Sequence, residues 1–243
     1  MKLHSVRAAV RNSAVTLALL ACALPAAAQW TGKGEAGLAI ASGNSDTKTA
    51  NAKVTVGKKV DNWEHSAGLA GLYVRNDGDT TAKRWAAFLQ THYNLGGGNT
   101  FVFGGTRYEK DRFSGFDHQG VIDAGVGHKF FDNDTTRLSG QVGVGYKFWE
   151  TLGTPNDKDS GVVGTAGLDF SHQLTETTSV TNKLGVEVAS NNNFLQNELG
   201  FAVKVSDRIA LSLGYAVRHN TDPPAGFKKT DTLSTVNLVY EVK

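Results

Sequence analysis

The 243-residue sequence has one cysteine, one methionine and four prolines. A single cysteine excludes a disulfide scaffold and a cysteine-based zinc site. The histidines form no His-Glu-x-x-His pair, so no metal centre is expected. No Gly-x-Ser-x-Gly elbow occurs, and no sequence feature implies a cofactor. A charge excess of one sign is also missing. Beyond residue 28 the chain carries 22 Lys+Arg against 23 Asp+Glu, a net of −1, which argues against nucleic acid as a partner. No segment beyond residue 28 is apolar enough to cross a bilayer as a helix, and none shows a clear helical period. What is present is glycine, 28 residues of it, with aromatic and β-branched residues running to the last line. That composition excludes wholesale disorder.

The first 28 residues read as an address. Lys2, Arg7 and Arg11 precede an apolar run from Ala14 to Leu24, and Ala26, Ala27 and Ala28 follow. This is the layout of a secretory signal peptide cleaved after Ala28. The run is too short for a membrane anchor. Cleavage removes Cys22 and leaves residues 29–243 without cysteine, as suits an exported protein that needs no disulfides. The expected division is a signal peptide over 1–28 and one barrel domain over 29–243.

Period two dominates residues 29–243. Leu138, Gly140, Val142, Val144, Tyr146 and Phe148 alternate with Ser139, Gln141, Gly143, Gly145 and Lys147. Ile209, Leu211, Leu213, Tyr215 and Val217 alternate with Ser212, Gly214 and Arg218. Successive strand side chains point to opposite faces, so one face is apolar and the other small or polar. Twelve such segments are predicted, near 33–42, 48–60, 63–75, 81–95, 100–110, 118–131, 136–149, 161–174, 178–189, 194–206, 208–219 and 231–242. Most exceed the usual strand length of about 5–6 residues and match the ~9–11 residues of a tilted membrane-crossing strand. Links alternate between short turns, such as Asp61-Asn62 and 132–135, and longer loops, such as 111–117, 150–160 and 220–230. The link at 191–193 is short but takes a long-loop place in the order. Pro155, Pro223 and Pro224 all fall in loops, where no ladder hydrogen bond is lost. The expected fold is all-β: a transmembrane antiparallel up-and-down β-barrel of about 12 strands.

Alternation alone does not say which face is inside. Three features place the apolar face outward, toward lipid. The polar face mixes both signs, as an interior can by pairing: Lys53, Arg84, Arg107, Lys129, Lys147, Lys183, Lys204 and Arg218 with Glu109, Asp123, Asp169, Glu187 and Glu198. Aromatics gather at strand ends, Trp63, Tyr93 and Phe130 toward the short turns and Tyr73, Trp85, Tyr108 and Phe148 toward the long loops, as two headgroup belts would. The signal peptide directs the chain out of the cytosol, and a closed barrel leaves no unpaired edge in hydrocarbon. The outer membrane of a Gram-negative bacterium is the expected location. One segment conflicts with the pattern: Phe101 and Phe103 share a parity with Arg107 and Glu109, and a bulge near Gly104-Gly105 is expected to resolve it.

The chain resembles the salt-induced outer-membrane protein family (YdiY-like), whose function is uncharacterised. The likeness rests on Trp30-Thr-Gly-Lys-Gly-Glu-Ala-Gly37, on Ser42-Gly-Asn-Ser-Asp-Thr47 and on the Val121–Lys129 strand with Gly125-Val-Gly127. The resemblance implies an outer-membrane barrel whose expression responds to salt, and it supplies no catalytic residues.

The expected function is non-enzymatic: a monomeric envelope barrel of osmotic or salt stress, in the concrete version a narrow passive channel for ions or small solutes. The lumen-facing charges Lys53, Arg84, Asp123, Lys129, Lys147, Asp169, Lys183, Glu187, Glu198, Lys204 and Arg218 are the candidate site. Expected partners are membrane lipids, lipopolysaccharide and the outer-membrane assembly machinery. Two alternatives stand beside it. A lipid-modifying hydrolase would need a nucleophilic Ser held by a His, and the neighbours His65-Ser66 and Ser171-His172 face opposite ways on their strands. A structural or adhesive barrel would act through its surface loops, where Asp77 with Asp79 and Asp157 with Asp159 put carboxylates outside.

Overall fold

The computed structural model describes residues 30–42, 47–76, 79–111, 114–152, 158–190 and 192–242; the expected signal peptide and its cleavage point at Ala28 lie outside them. Twelve strands follow in chain order: β1 (Trp30–Ser42), β2 (Thr47–Val60), β3 (Trp63–Asn76), β4 (Asp79–Asn94), β5 (Thr100–Asp111), β6 (Phe116–Asp132), β7 (Thr136–Thr151), β8 (Lys158–Gln173), β9 (Thr178–Ala189), β10 (Phe194–Lys204), β11 (Ile209–Asn220) and β12 (Thr230–Val242). Each pairs antiparallel with the next, and β1 pairs with β12 to close the barrel. The seam runs from Gly32 opposite Val242 to Ser42 opposite Thr232.

All twelve predicted segments are strands. Most extend a few residues further than the apolar pattern does. Asn76 pairs with Asp79 and Phe116 with Thr151, inside segments expected as loops. Ladder hydrogen bonds continue past the apolar band because polar residues are tolerated in a strand that water bathes. The difference between long and short links shrinks accordingly. At one end the links are 43–46, 77–78, 112–115, 152–157, 190–193 and 221–229; at the other they are 61–62, 95–99, 133–135, 174–177 and 205–208. We call these the long-loop and short-turn ends.

The facing follows the alternation. Val142, Leu211 and Leu213 are more than half exposed on the outer wall, whereas Lys147 and Arg218 are 3% and 7% exposed inside. Rings cluster at both ends of the outer wall. Trp63 packs against Tyr93 at 4.8 Å near the short turns, and Trp85 against Tyr108 at 5.2 Å near the long loops.

The expected bulge at Gly104-Gly105 is absent. The registers with β4 and β6 run unbroken through both glycines, and the shift on this strand comes between Glu109 and Asp111. Phe101 and Phe103 therefore point inward and are buried, at 1% and 5% exposure. Glycines on the neighbouring strands make the room. A Cβ on Gly127 would stand 2.2 Å from the Phe101 ring, and one on Gly125 would stand 2.8 Å from the Phe103 ring. His92 stacks on Phe101 at 4.5 Å. The β4–β7 side of the interior is thus packed like a core rather than left open.

Candidate functional site

The inward side chains of β4, β5, β6, β7, β9, β10 and β11 meet near the long-loop end and form a charged bar across the lumen. Lys147 of β7 donates to Glu187 of β9 at 2.7 Å. Arg107 of β5 donates to the other oxygen of Glu187 and lies 3.8 Å from Glu109, two residues along. Arg218 of β11 donates to Glu109 at 2.6 Å and to Asp111 at 2.9 Å. Gln119 donates to Glu109 at 3.0 Å, and Arg84 of β4 stands 3.8 Å from Asp111. The Phe194 ring of β10 lies under the bar, with Arg218 at 5.1 Å and both Arg107 and Lys147 at 5.5 Å from its centroid. Cation–π attraction and close hydrogen bonding offset the desolvation of these charges.

The bar has a geometric implication. β5 and β11 are six strands apart in a ring of twelve, hence opposite one another. A circular twelve-stranded barrel at ordinary strand spacing and tilt is roughly 24 Å across. A hydrogen-bonded Arg–Glu pair spans at most roughly 15 Å between Cα atoms. The direct Arg218–Glu109 contact therefore flattens the cross-section at this level into an oval. Beside the bar lies a cleft of about 40 Å³ between Leu72, Arg84, Gln196, Glu198 and Leu233.

Loops brace the same end. The Gly115 backbone (φ +81°) lies against Phe227 and Pro224, so close that a Cβ would come within 2.8 Å of the Phe227 ring. The Leu152 amide donates to the Gly115 carbonyl at 2.9 Å, and the Thr221 amide donates to the Asn193 carbonyl at 3.0 Å. Ser114 donates to the Asp111 carbonyl at 3.1 Å, which ties this bracing to the bar.

Toward the short turns the interior differs from side to side. Lys129 donates to Glu64 at 2.8 Å and stands 3.8 Å from Asp132. Asp123 accepts from Thr165 at 2.9 Å. Around β8, β9, β10 and β2 the pairs are wetter. Lys183 and Asp169 meet at 2.7 Å with side chains 61% and 51% exposed, and Lys53 reaches Glu198 at 3.5 Å. Lys204, opposite Ala210 on the inward parity, is exposed and joins no ion pair among the described residues. Exposed pairs contribute only about 0–1 kcal/mol. Asp169→Asn is accordingly expected to leave the urea midpoint of the refolded barrel almost unmoved.

Of the predicted inward charges, Arg84, Arg107, Glu109, Lys147, Glu187 and Arg218 come together in the bar. Lys53, Asp123, Lys129, Asp169, Lys183 and Glu198 form separate contacts lower in the lumen. Asp111, Gln119, Phe194 and Glu64 are positions that the alternation pattern does not single out. Asp111 carries a signal, since it continues the Arg107, Glu109 parity, but it falls in a segment whose pattern reads as loop. Phe194 begins a strand as an inward ring, which a polar-inside pattern does not anticipate.

Four histidines lie beside threonine hydroxyls, His219 Nδ1 at 2.8 Å from Thr230 among them, while His118 Nδ1 stands 3.5 Å from Asp117 and 3.7 Å from Glu150. His65 Nδ1 lies 2.7 Å from the Thr91 hydroxyl, His172 Nδ1 2.8 Å from Thr136 and His128 Nδ1 3.2 Å from Thr100. Neither His65-Ser66 nor Ser171-His172 forms a hydroxyl–imidazole pair.

A family model described as a protein of unknown function, DUF481, matches residues 34–242. The uncharacterized protein YdiY of Escherichia coli K12 is 26% identical over 223 residues, covering 90% of this chain and 86% of that one. Among solved structures, the NanC porin aligns with a TM-score of 0.59 at 10% identity, over 86% of this chain and all of that chain. The translocator domain of the autotransporter NalP from Neisseria meningitidis aligns with a TM-score of 0.53 at 15% identity, over 87% and 88% of the two chains. These likenesses establish a porin-like outer-membrane β-barrel fold.

Proposed function

Since this chain belongs to DUF481, a family of proteins of unknown function, its role has to come from the barrel itself, and we propose a narrow, passive outer-membrane channel for ions or small solutes that serves the envelope under salt or osmotic stress. The apolar outer wall with a ring cluster at each end supports insertion in the bacterial outer membrane. The closed ladder leaves no edge for a partner strand, which supports a monomer embedded in lipid and lipopolysaccharide and placed there by the outer-membrane assembly machinery.

The observation that carries the channel reading is the bar with its residual cleft. The exposed pairs Lys183–Asp169 and Lys53–Glu198 line the lumen, and beside the bar lies a cleft of about 40 Å³. A lumen crossed by such a bar fits the passage of ions and small solutes. Charges of both signs line it, so weak ion selectivity is expected.

Planar-bilayer recording of refolded protein tests the reading. Small, ohmic conductance steps are expected, and folding is verified by faster gel migration without boiling. No conductance above background from a verified folded barrel would defeat it. The hydrolase alternative gains no geometric support, because a nucleophile needs a base and a group that orients the base. In the His65, His128, His172 and His219 pairs with threonine, no carboxylate orients the imidazole.

A further inference from the structure

The outer wall carries a depression separate from the lumen. It has a volume of about 520 Å³ and crosses β6, β7, β8 and β9, within the roughly 300–1,000 Å³ typical of ligand sites. Its floor exists because two outward positions are small. A Cβ on Gly140 would meet the Phe130 ring at 3.1 Å and Leu168 at 3.2 Å, and Ala166 lies one row along. Val142, Leu184 and Val186 complete an apolar lining.

One end is polar. His128 pairs with Thr100 on β5 in the same row as Gly140, Leu168 and Leu184, and its Nδ1 lies 3.2 Å from the Thr100 hydroxyl. With the hydroxyl donating to Nδ1, the Nε2–H is left to donate to something outside the wall. The arrangement repeats on other hairpins near the short turns. His65 bonds Thr91 and stacks on Trp63 at 5.8 Å. His172 bonds Thr136 and stacks on Phe170 at 6.3 Å. His128 sits beside Phe130 at 5.2 Å. A fourth such pair, His219 with Thr230 at 2.8 Å, sits at the long-loop end, and the groove described above opens beside the His128 unit.

The geometry points to a phospholipid site: one acyl chain lies over Gly140 and Ala166, and the phosphate accepts from His128 Nε2. The headgroup belongs to the leaflet at the short-turn end. This inference rests on the membrane reading and adds a specific, retained lipid to it. A second copy of the chain, the other candidate for an apolar wall, would leave the outward imidazole donor facing apolar side chains.

The test is native mass spectrometry of the refolded barrel, released from micelles doped with phosphatidylglycerol, phosphatidylethanolamine or diacylglycerol. Wild type is expected to retain one phospholipid and little diacylglycerol. Gly140→Leu fills the floor and takes away the packing contacts of the chain, so the retained-lipid peak should be lost. Ala166→Leu, one row away, should act the same way and guards against a folding defect in the first variant. His128→Ala should erase the preference for phospholipid over diacylglycerol. Equal retention by wild type and a folded groove-filled variant would overturn the site. So would a lipid-free dimer. Failure of wild type to insert into liposomes would instead overturn the membrane reading on which the site depends.

Discussion

Arg218→Ala is expected to open the channel and weaken the barrel at once. The guanidinium is the link between β11 and the opposite strand β5, through Glu109 at 2.6 Å and Asp111 at 2.9 Å. Without it, Glu109 keeps Gln119 and a distant Arg107, and Asp111 keeps Arg84 at 3.8 Å. The buried Glu109 carboxylate is then under-compensated. Breaking a buried pair on one side costs about 3–5 kcal/mol, and water entering the widened lumen should hold the loss near the lower figure. The same relaxation lets the oval section round out and enlarges the cleft of about 40 Å³ beside the bar. A conductance increase should therefore accompany a lower urea midpoint, followed by the fluorescence of the four tryptophans. Arg218→Met separates the two effects. It keeps bulk over Phe194 but removes the charge, so stability should fall as in the alanine variant while conductance rises less. Unchanged conductance in a folded Arg218→Ala barrel would show that the bar does not limit flow.

The second large effect concerns a position with no side chain at all. Gly125→Ala is expected to block folding or to cost far more than an ordinary core substitution. A Cβ there would stand 2.1 Å from the Val142 carbonyl oxygen and 2.6 Å from the Gly143 Cα, both backbone atoms of the paired strand, and 2.8 Å from the Phe103 ring. Backbone in a ladder does not step aside without losing hydrogen bonds, so the usual overpacking cost of about 1–3 kcal/mol is a lower bound. Gly185→Ala is the control, because a Cβ at that inward position of β9 meets nothing within 4 Å. Gel mobility without boiling should disappear for the first variant and persist for the second. A normally folding Gly125→Ala protein would show that β6 and β7 leave room for a methyl group between them.

Those two sites also show what is legible in the sequence. Strand number, strand facing and the inward charges can be read because the side-chain period of a strand is two and the outer wall is uniformly apolar. Phe101 and Phe103 defeat the pattern for the same reason. A rule that assigns apolar residues outward takes an inward phenylalanine for a register slip, whereas the glycines at 125, 127 and 143 make space for the rings. The bar itself is beyond sequence reading. Arg107 and Glu187 are 80 positions apart and Arg218 and Glu109 are 109 apart. No local signal says which strands of a cylinder will oppose. The parity of Arg107, Glu109 and Asp111 names the right side of the strand, and only the closed geometry chooses their partners.

The seam between β1 and β12 sets the order in which such a chain becomes a cylinder. Its first register pair joins residue 32 to residue 242, nearly the greatest separation the described residues allow, while every other strand pair is a hairpin of neighbours. Hairpin contacts form with little loop-closure entropy; the seam waits until the intervening ten strands are in place. Assembly should accordingly be slow and its last step all-or-none, and mechanical or chemical opening should begin at the same zipper, where the first and last strands of the barrel meet.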